Sequence, residues 1–446
     1  MGIVNENEVN REQSLLSGLV QWKYIDKLSF FAVLILLSFS IIFVYSTTIY
    51  YSIFDSNWGN SPYDFVQKQI LFSIIGITFY FIVQRIPIDY YIRNWKVILN
   101  TVVVLMVLPL FFEPRNGAHR WIALGSFTFQ PSEVAKIALI LLWSIACVTR
   151  MDDFKERFKV LKAKKAPMEL FVRRIVKSWG EPVIYTLILL LLYRLQSDNG
   201  SAVISGALIC ILLFASGGLP AKASRVFWGI VVFLVGVLTA ASTYFKNMDP
   251  KILVEWGKSN YVYGRFVSWI NPFVDYDRMG FQLVNSLIAM SKGGLFGVGL
   301  GKGTQKKGHL PDGHTDFILA NIVEEGGIFT LLILYTLYMV IILRGYKIAR
   351  ESKSRISMLA ATGIASLFFI QACWNSAGIV GLLPLKGLPA PLLSSGGTSL
   401  IFMLVALGIL QRVHIENQKG VTKKNEKNPR KIRENGKNPR KSYSKQ

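Results

Sequence analysis

Long apolar runs alternate with short polar segments along this chain, and the runs set the architecture it should adopt. They cover residues 28–50, 65–83, 97–112, 131–148, 183–195, 201–216, 226–245, 316–343, 358–383 and 398–410. A helix perpendicular to a bilayer needs about 20 apolar residues, so the ends of the shorter runs are soft. The pattern predicts an all-α integral membrane protein with about ten transmembrane helices. It divides the chain into a polar tail over 1–27, a membrane unit over 28–411 and a basic, disordered tail over 412–446. The longest connection, 246–315, lies between helices seven and eight and is half apolar.

Charge gives the array an orientation. The chain has 446 residues, 52% of them hydrophobic, and a net charge of +23. In a soluble protein that charge would raise nucleic-acid binding. Here Lys and Arg fall between apolar runs and in the tail, which excludes that class. They concentrate in 84–96, 149–181, 217–225, 344–355 and the tail, and are sparse in 51–64, 113–130, 196–200 and 384–397. The positive-inside rule then places both termini in the cytoplasm and makes 246–315 a large extracellular loop. That loop is basic although it faces outward, which long loops tolerate, and a cationic outer surface suits an anionic ligand.

The remaining features change less. Cys147, Cys210 and Cys373 sit inside apolar runs without metal-ligand spacing and read as packed thiols. The first apolar run begins well inside the chain and is long enough to span, so no cleavable signal peptide is expected. Lys-Asn-Pro-Arg-Lys occurs twice, at 427–431 and 437–441, and reads as a strip held near anionic headgroups.

Candidate chemistry gathers at 308–319, a polar turn that drops into an apolar run. Pro311-Asp312-Gly313 is a turn signal, and Thr315 or Asp316 then stands where a helix cap belongs, at the water–lipid boundary. On local sequence Asp316 has two readings, an N-cap carboxylate or a functional acid. His309, Asp312 and His314 crowd the same turn, and Glu324 and Glu325 follow along the apolar run. Ionisable groups at membrane depth are costly and mark function by default.

Other candidates carry a structural reading beside the functional one. Glu133 and Lys136 lie three apart just after Pro131, as an internal ion pair or as substrate contacts. Asp198 follows Gln196-Ser197 and suits a turn or helix cap. Six glycines between Gly293 and Gly303 lack the preceding strand and the Gly-Lys-Ser/Thr end of a nucleotide loop, so a flexible loop over a lipid substrate fits better. Phe281, Val284, Leu287 and Ile288 share one helical face, for the outer interface or for packing on the bundle.

Five motifs, in order, resemble the SEDS family (shape, elongation, division and sporulation). They are Asn116-Gly-Ala-His-Arg-Trp-Ile, Phe129-Gln-Pro-Ser-Glu-Val-Ala-Lys, Gly280-Phe-Gln-Leu, His309-Leu-Pro-Asp-Gly-His-Thr-Asp-Phe-Ile and Leu383-Pro-Leu-Lys-Gly-Leu-Pro-Ala-Pro-Leu-Leu-Ser-Ser-Gly-Gly. Gln305-Lys-Lys-Gly-His-Leu-Pro and Leu385-Lys-Gly are more similar to the division-type branch, FtsW, than to the elongation-type RodA. Ser395, Ser197 and Asp312 depart from the family's usual Tyr, Pro and Glu.

The resemblance implies ten membrane helices and a peptidoglycan glycosyltransferase. It would polymerise lipid II, the undecaprenyl-pyrophosphoryl disaccharide pentapeptide, on the outer face of the cytoplasmic membrane, at the division septum. It implies a class B penicillin-binding protein and other division proteins as partners. Asp316 matches the family's essential aspartate and is assigned as general base; Arg120, Lys136, Asp198, Arg265, His314 and Thr315 are assigned to substrate binding. Glu133, Glu324 and Asp312 support them. Glu324 lies about 12 Å along the helix from Asp316, too far to share its proton.

A pyrophosphate leaves without protonation, so one base suffices, and its charge needs Arg, Lys or a divalent cation such as magnesium or manganese. Whether a metal takes part is left open. Two other functions stay in view, a lipid II flippase or transporter and a non-catalytic scaffold for the transpeptidase. A transporter should carry ionisable groups near the midplane on broken helices, with internal repeats.

Overall fold

The computed structural model describes residues 22–54, 63–114, 117–124, 127–163, 168–217, 229, 243–244, 248–259, 261–276, 278, 280–311, 313–384 and 387–426. After a 3-10 turn at Trp22–Tyr24 come α1 (Lys27–Phe54), α2 (Asp64–Val83), α3 (Ile88–Arg93) and α4 (Trp95–Val107), which ends in a second 3-10 turn. A hairpin of β1 (Ile122–Leu124) and β2 (Phe127–Phe129) leads into α5 (Pro131–Ala163), α6 (Met168–Leu195) and α7 (Asn199–Ala215). The long connection holds α8 (Pro250–Ser259), α9 (Tyr261–Ile270) and α10 (Phe281–Gly293). The chain closes with α11 (Ile318–Arg350), α12 (Arg355–Ile379) and α13 (Gly397–Glu426).

This is an all-α membrane protein. Among the described residues six helices are long and apolar enough to cross a bilayer, within α1, α2, α5, α11, α12 and α13. Two shorter apolar helices, Trp95–Phe111 and Asn199–Ala215, stand beside them. Without water to satisfy it, backbone in a bilayer closes its hydrogen bonds within each helix. The spans of α5 and α13 are the most enclosed, and α2 and α11 show much of their length to the outside. Helix α13 packs most extensively on α2, while α11 packs on α12, α1 and α10. The α2–α13 crossing is close because Gly408 has no side chain: a Cβ there would stand 2.8 Å from Tyr80 O.

Several boundaries differ from the sequence expectation. Segment 113–130 carries the antiparallel pair β1–β2, with Ala123 opposite Thr128. The charged connection 149–181 is largely helical, since α5 continues to Ala163 and α6 begins at Met168. Helix α13 runs to Glu426, past residue 412 where a disordered tail was expected. Helix α10 packs on the bundle through Leu283, Val284, Ser286 and Ala289, with Ser286 Oγ donating to Ile379 O (2.9 Å). The expected seventh run, 226–245, lies outside the described residues except for 229, 243 and 244. Asp312 and both tail repeats also lie outside them.

Candidate active site

Two turns meet at Asp316. The first, 313–317, precedes α11; the second, 387–396, joins α12 to α13. Helix α11 starts at Ile318 with Phe317 as N-cap and no side-chain capping bond, which corrects the expectation that Thr315 or Asp316 caps it.

One amide group ties the turns together. Asn375 Nδ2, on α12, donates to Asp316 O (2.8 Å) and to Leu388 O (2.7 Å). Ser394 Oγ donates to Thr315 O (2.6 Å) and accepts from Ala390 N (2.8 Å), and Ser395 N donates to His314 O (2.9 Å). Gly387 has φ +60°, and a Cβ on it would stand 3.0 Å from Asp316 Oδ2, so the backbone there approaches the carboxylate as only glycine allows. His314 is buried, its ring edge-on to Phe65 at 5.1 Å. Asn321 Nδ2 donates to Gly313 O (2.9 Å). Behind the second turn, Tyr338 OH donates to Pro391 O (2.5 Å), and Ser40 Oγ donates to Leu393 O (2.7 Å).

A second polar group forms where α5 and α7 begin. Glu133 Oε1 and Lys136 Nζ are 2.8 Å apart, and both side chains are buried. Asp198 is the N-cap of α7: its Oδ1 accepts from Ser201 N (3.2 Å) and its Oδ2 from Gln130 Nε2 (3.2 Å). Gln130 Nε2 also reaches Ser132 Oγ (2.9 Å), and Gln130 N donates to Thr398 Oγ1 (3.3 Å) at the start of α13. Arg120 Nη2 donates to Ser197 O (2.5 Å), beside Asp198. Thr398 thus joins this group to the turn that holds Asp316. Arg265 stands half-buried on α9.

The third group lies further along α11. Gly327 (φ +73°, ψ −177°) breaks that helix, and Glu324 and Glu325 just before it are buried. Glu324 Oε1 accepts from Thr304 N and Thr304 Oγ1 (both 2.8 Å), and Glu324 Oε2 accepts from Gln305 N (3.1 Å). Glu325 Oε1 pairs with buried Lys306 Nζ (2.6 Å), and its Oε2 accepts from Ser46 Oγ (2.6 Å) on α1. Among the described residues no group of three His, Cys, Asp or Glu side chains is placed to hold a metal ion.

Residues 26–419 match the profile of the FTSW_RODA_SPOVE family, described as a cell cycle protein. The chain belongs to this family. Relatives include a probable peptidoglycan glycosyltransferase FtsW of Geobacter metallireducens, 33% identical over 382 residues, which are 84% of this chain and 90% of that one. Stage V sporulation protein E of Bacillus subtilis is 31% identical over 399 residues, 87% of this chain and 96% of its own. Two solved structures share the fold at 22% identity. One, from work on the coordination of polymerization and crosslinking by a peptidoglycan synthase complex, has a TM-score of 0.63 over 88% of this chain and 98% of that one. The other, the rod shape determining protein RodA of Thermus thermophilus, has a TM-score of 0.58 over 89% and 98%.

Described residues of the 116–122 and 129–136 motifs fall in the second group and those of the 309–318 and 383–397 motifs in the first, while Gly280-Phe-Gln-Leu stands apart at the start of α10. Sequence reasoning missed Asn375, Ser40, Ser46 and Lys306, which hold the turns and loops in place. A signal existed for the first three, since each is a polar residue inside an apolar run.

Proposed function

We propose that the chain is a peptidoglycan glycosyltransferase of the FtsW type, which polymerises lipid II into glycan strands for septal wall synthesis. Asp316 carries the reading: its carboxylate lies against Gly387 and its backbone is fixed by two converging turns. The names of the FtsW relatives support the same activity. In this reading Asp316 accepts the proton of an acceptor-sugar hydroxyl while that oxygen bonds to the donor's anomeric carbon. The bond from that carbon to the lipid pyrophosphate breaks, and the electron pair leaves with the pyrophosphate. A positioned base of this kind contributes about 10²–10⁴ in rate.

Arg120, Lys136 and Arg265 are the proposed cations for the departing charge, with Asp198, His314 and Thr315 shaping the site. Lys136 acts there through its pair with Glu133, Glu324 holds the segment at Thr304 and Gln305 that leads toward the turn, and Asp312 is a further proposed supporting residue. A magnesium or manganese ion carried by the pyrophosphate would supply charge of the same sign at the same place. We place ten helices in the cytoplasmic membrane with both termini inside and Asp316 outward, on the charge bias of the short connections. A class B penicillin-binding protein is the proposed partner.

The broken helix α11 favours a second reading, a lipid II transporter, because discontinuous helices line transport sites. One experiment separates the two. Native chain and Asp316→Asn, each with the cognate transpeptidase, are given lipid II in proteoliposomes. Long glycan strands from the native chain alone support the proposal. Strands at the native rate from Asp316→Asn would remove Asp316 as base, and lipid II crossing without strands from either would favour transport.

A further inference from the structure

The break in α11 is filled by another segment of the chain. In an unbroken helix Ile328 N and Phe329 N would donate to the carbonyls of Glu324 and Glu325. Instead Ile328 N donates to Gly294 O (3.0 Å) and Phe329 N to Leu295 O (3.2 Å). The vacated carbonyls are taken by the same loop, with Val298 N donating to Glu324 O (2.9 Å) and Gly299 N to Glu325 O (3.0 Å). The Glu324 and Glu325 side chains then satisfy Thr304 N, Gln305 N and Gly301 N. Irregular backbone survives at membrane depth only when protein closes its hydrogen bonds, and this loop meets that condition.

Two helices measure how deep it sits. Helix α1 has no charged residue after Lys27, and Ser46 lies about 28 Å further along it. On α11 the charge-free stretch from Ile328, where the helix resumes, to Arg344 is about 24 Å. The two are joined at both ends, by Ser46 with Glu325 at one and by Asp26 with Arg344 at the other. Those lengths are close to the apolar layer of a bilayer, about 30 Å. Leu295 and Phe296, beside residues 327–329, therefore stand on the layer's side of Glu325.

Their side chains face outward. Leu295 is 57% exposed, Phe296 78% and Leu300 60%, and Phe296 stacks on exposed Phe329 at 5.1 Å. Exposed Lys292 and Lys302 flank the apolar tip, and Lys292 Nζ is anchored on Thr304 Oγ1 (2.8 Å). We propose that residues 294–302 form a re-entrant wedge whose apolar tip inserts among lipid acyl chains, with Lys292 and Lys302 at the phosphate level. Snorkelling lysines around an aromatic tip suit that boundary. The wedge runs on through Thr304 and Gln305 into the turn that carries Asp316, so the bilayer itself sets the height of the site.

The test is a depth measurement on the full chain, independent of any activity. Cys147, Cys210 and Cys373 are replaced by alanine, and an environment-sensitive fluorophore is attached at Phe296→Cys, with Leu300→Cys as a second probe and Lys307→Cys as the exposed reference. In phosphatidylglycerol–phosphatidylcholine vesicles, the labels at 296 and 300 should emit blue-shifted. They should lose signal to a nitroxide on the acyl chain and keep it against aqueous iodide, the reverse of the label at 307. Iodide quenching at 296 and 300 equal to that at 307 would overturn the wedge.

Discussion

Asn375 holds two backbone carbonyls, Asp316 O and Leu388 O, with one amide. Asn375→Ala should leave both carbonyls buried without that donor and destabilise the protein by about 1–3 kcal/mol. Strand synthesis should fall further than stability explains, because the carboxylate loses its placement. Comparing kcat with the thermal midpoint for the same preparation checks this; equal losses in both would reduce Asn375 to a packing residue. Gly387→Ala acts from the other side, pressing a methyl on Asp316 Oδ2 at a backbone angle alanine resists. A displacement of this size should lower polymerisation on the order of 10²-fold while the protein still reaches the membrane. Normal activity from Gly387→Ala would mean that the carboxylate is not held there.

At the scale of elements, the Glu133–Lys136 pair and the α11 break show what local sequence could and could not reveal. The pair is three residues apart on one helix, so its contact could be read from spacing alone. The break could not. Glu324-Glu325-Gly326-Gly327 in an apolar run reads as a helix that continues, and only the loop from 294 to 299 supplies the bonds that let it stop. The β-hairpin and the two hydrogen bonds from Asn375 were hidden for the same reason, since each depends on a segment placed beside it by the fold. Apolar runs and turn residues, by contrast, act locally, and both the runs behind the six described spans and the 308–319 turn were legible. Because the Glu133–Lys136 pair is fully buried, removing one partner should cost more than removing both. Lys136→Met should lower stability by about 3–5 kcal/mol, and Glu133→Gln with Lys136→Met should recover much of it. Thermal unfolding in detergent reads the difference, and additive losses would count against a coupled pair.

Across the whole molecule, three helices are fastened on the face opposite the site. Asp26 accepts from Arg344 Nε (3.0 Å) and Nη2, so α1 and α11 are joined, and Asp26 N donates to Gln411 Oε1 (3.0 Å) on α13. Burial pushes the Asp26 carboxyl up, but the hydrogen bonds and charge of Arg344, with help from His414, outweigh it and hold the pKa below the ordinary 3.8. A carboxylate depressed in the folded state stabilises fully above its unfolded value and loses that contribution as pH falls through its folded value. The native chain should therefore exceed Asp26→Asn in thermal midpoint at neutral pH by a constant margin. That margin should close only below about 3.8, where the native carboxylate also gains its proton. Midpoints of both proteins in one detergent from pH 7 down to pH 3 provide the measurement. A margin that closes well above that value would place the titrating group elsewhere, with His414 as the nearest alternative. The same fastening fixes the far ends of the two helices whose near ends carry Ser46 and Glu325, so loss of the clamp should also loosen the loop behind the Asp316 turn. Asp26→Asn should then reduce strand synthesis at neutral pH although it lies a full membrane thickness from the chemistry, and unchanged synthesis would confine the clamp to stability.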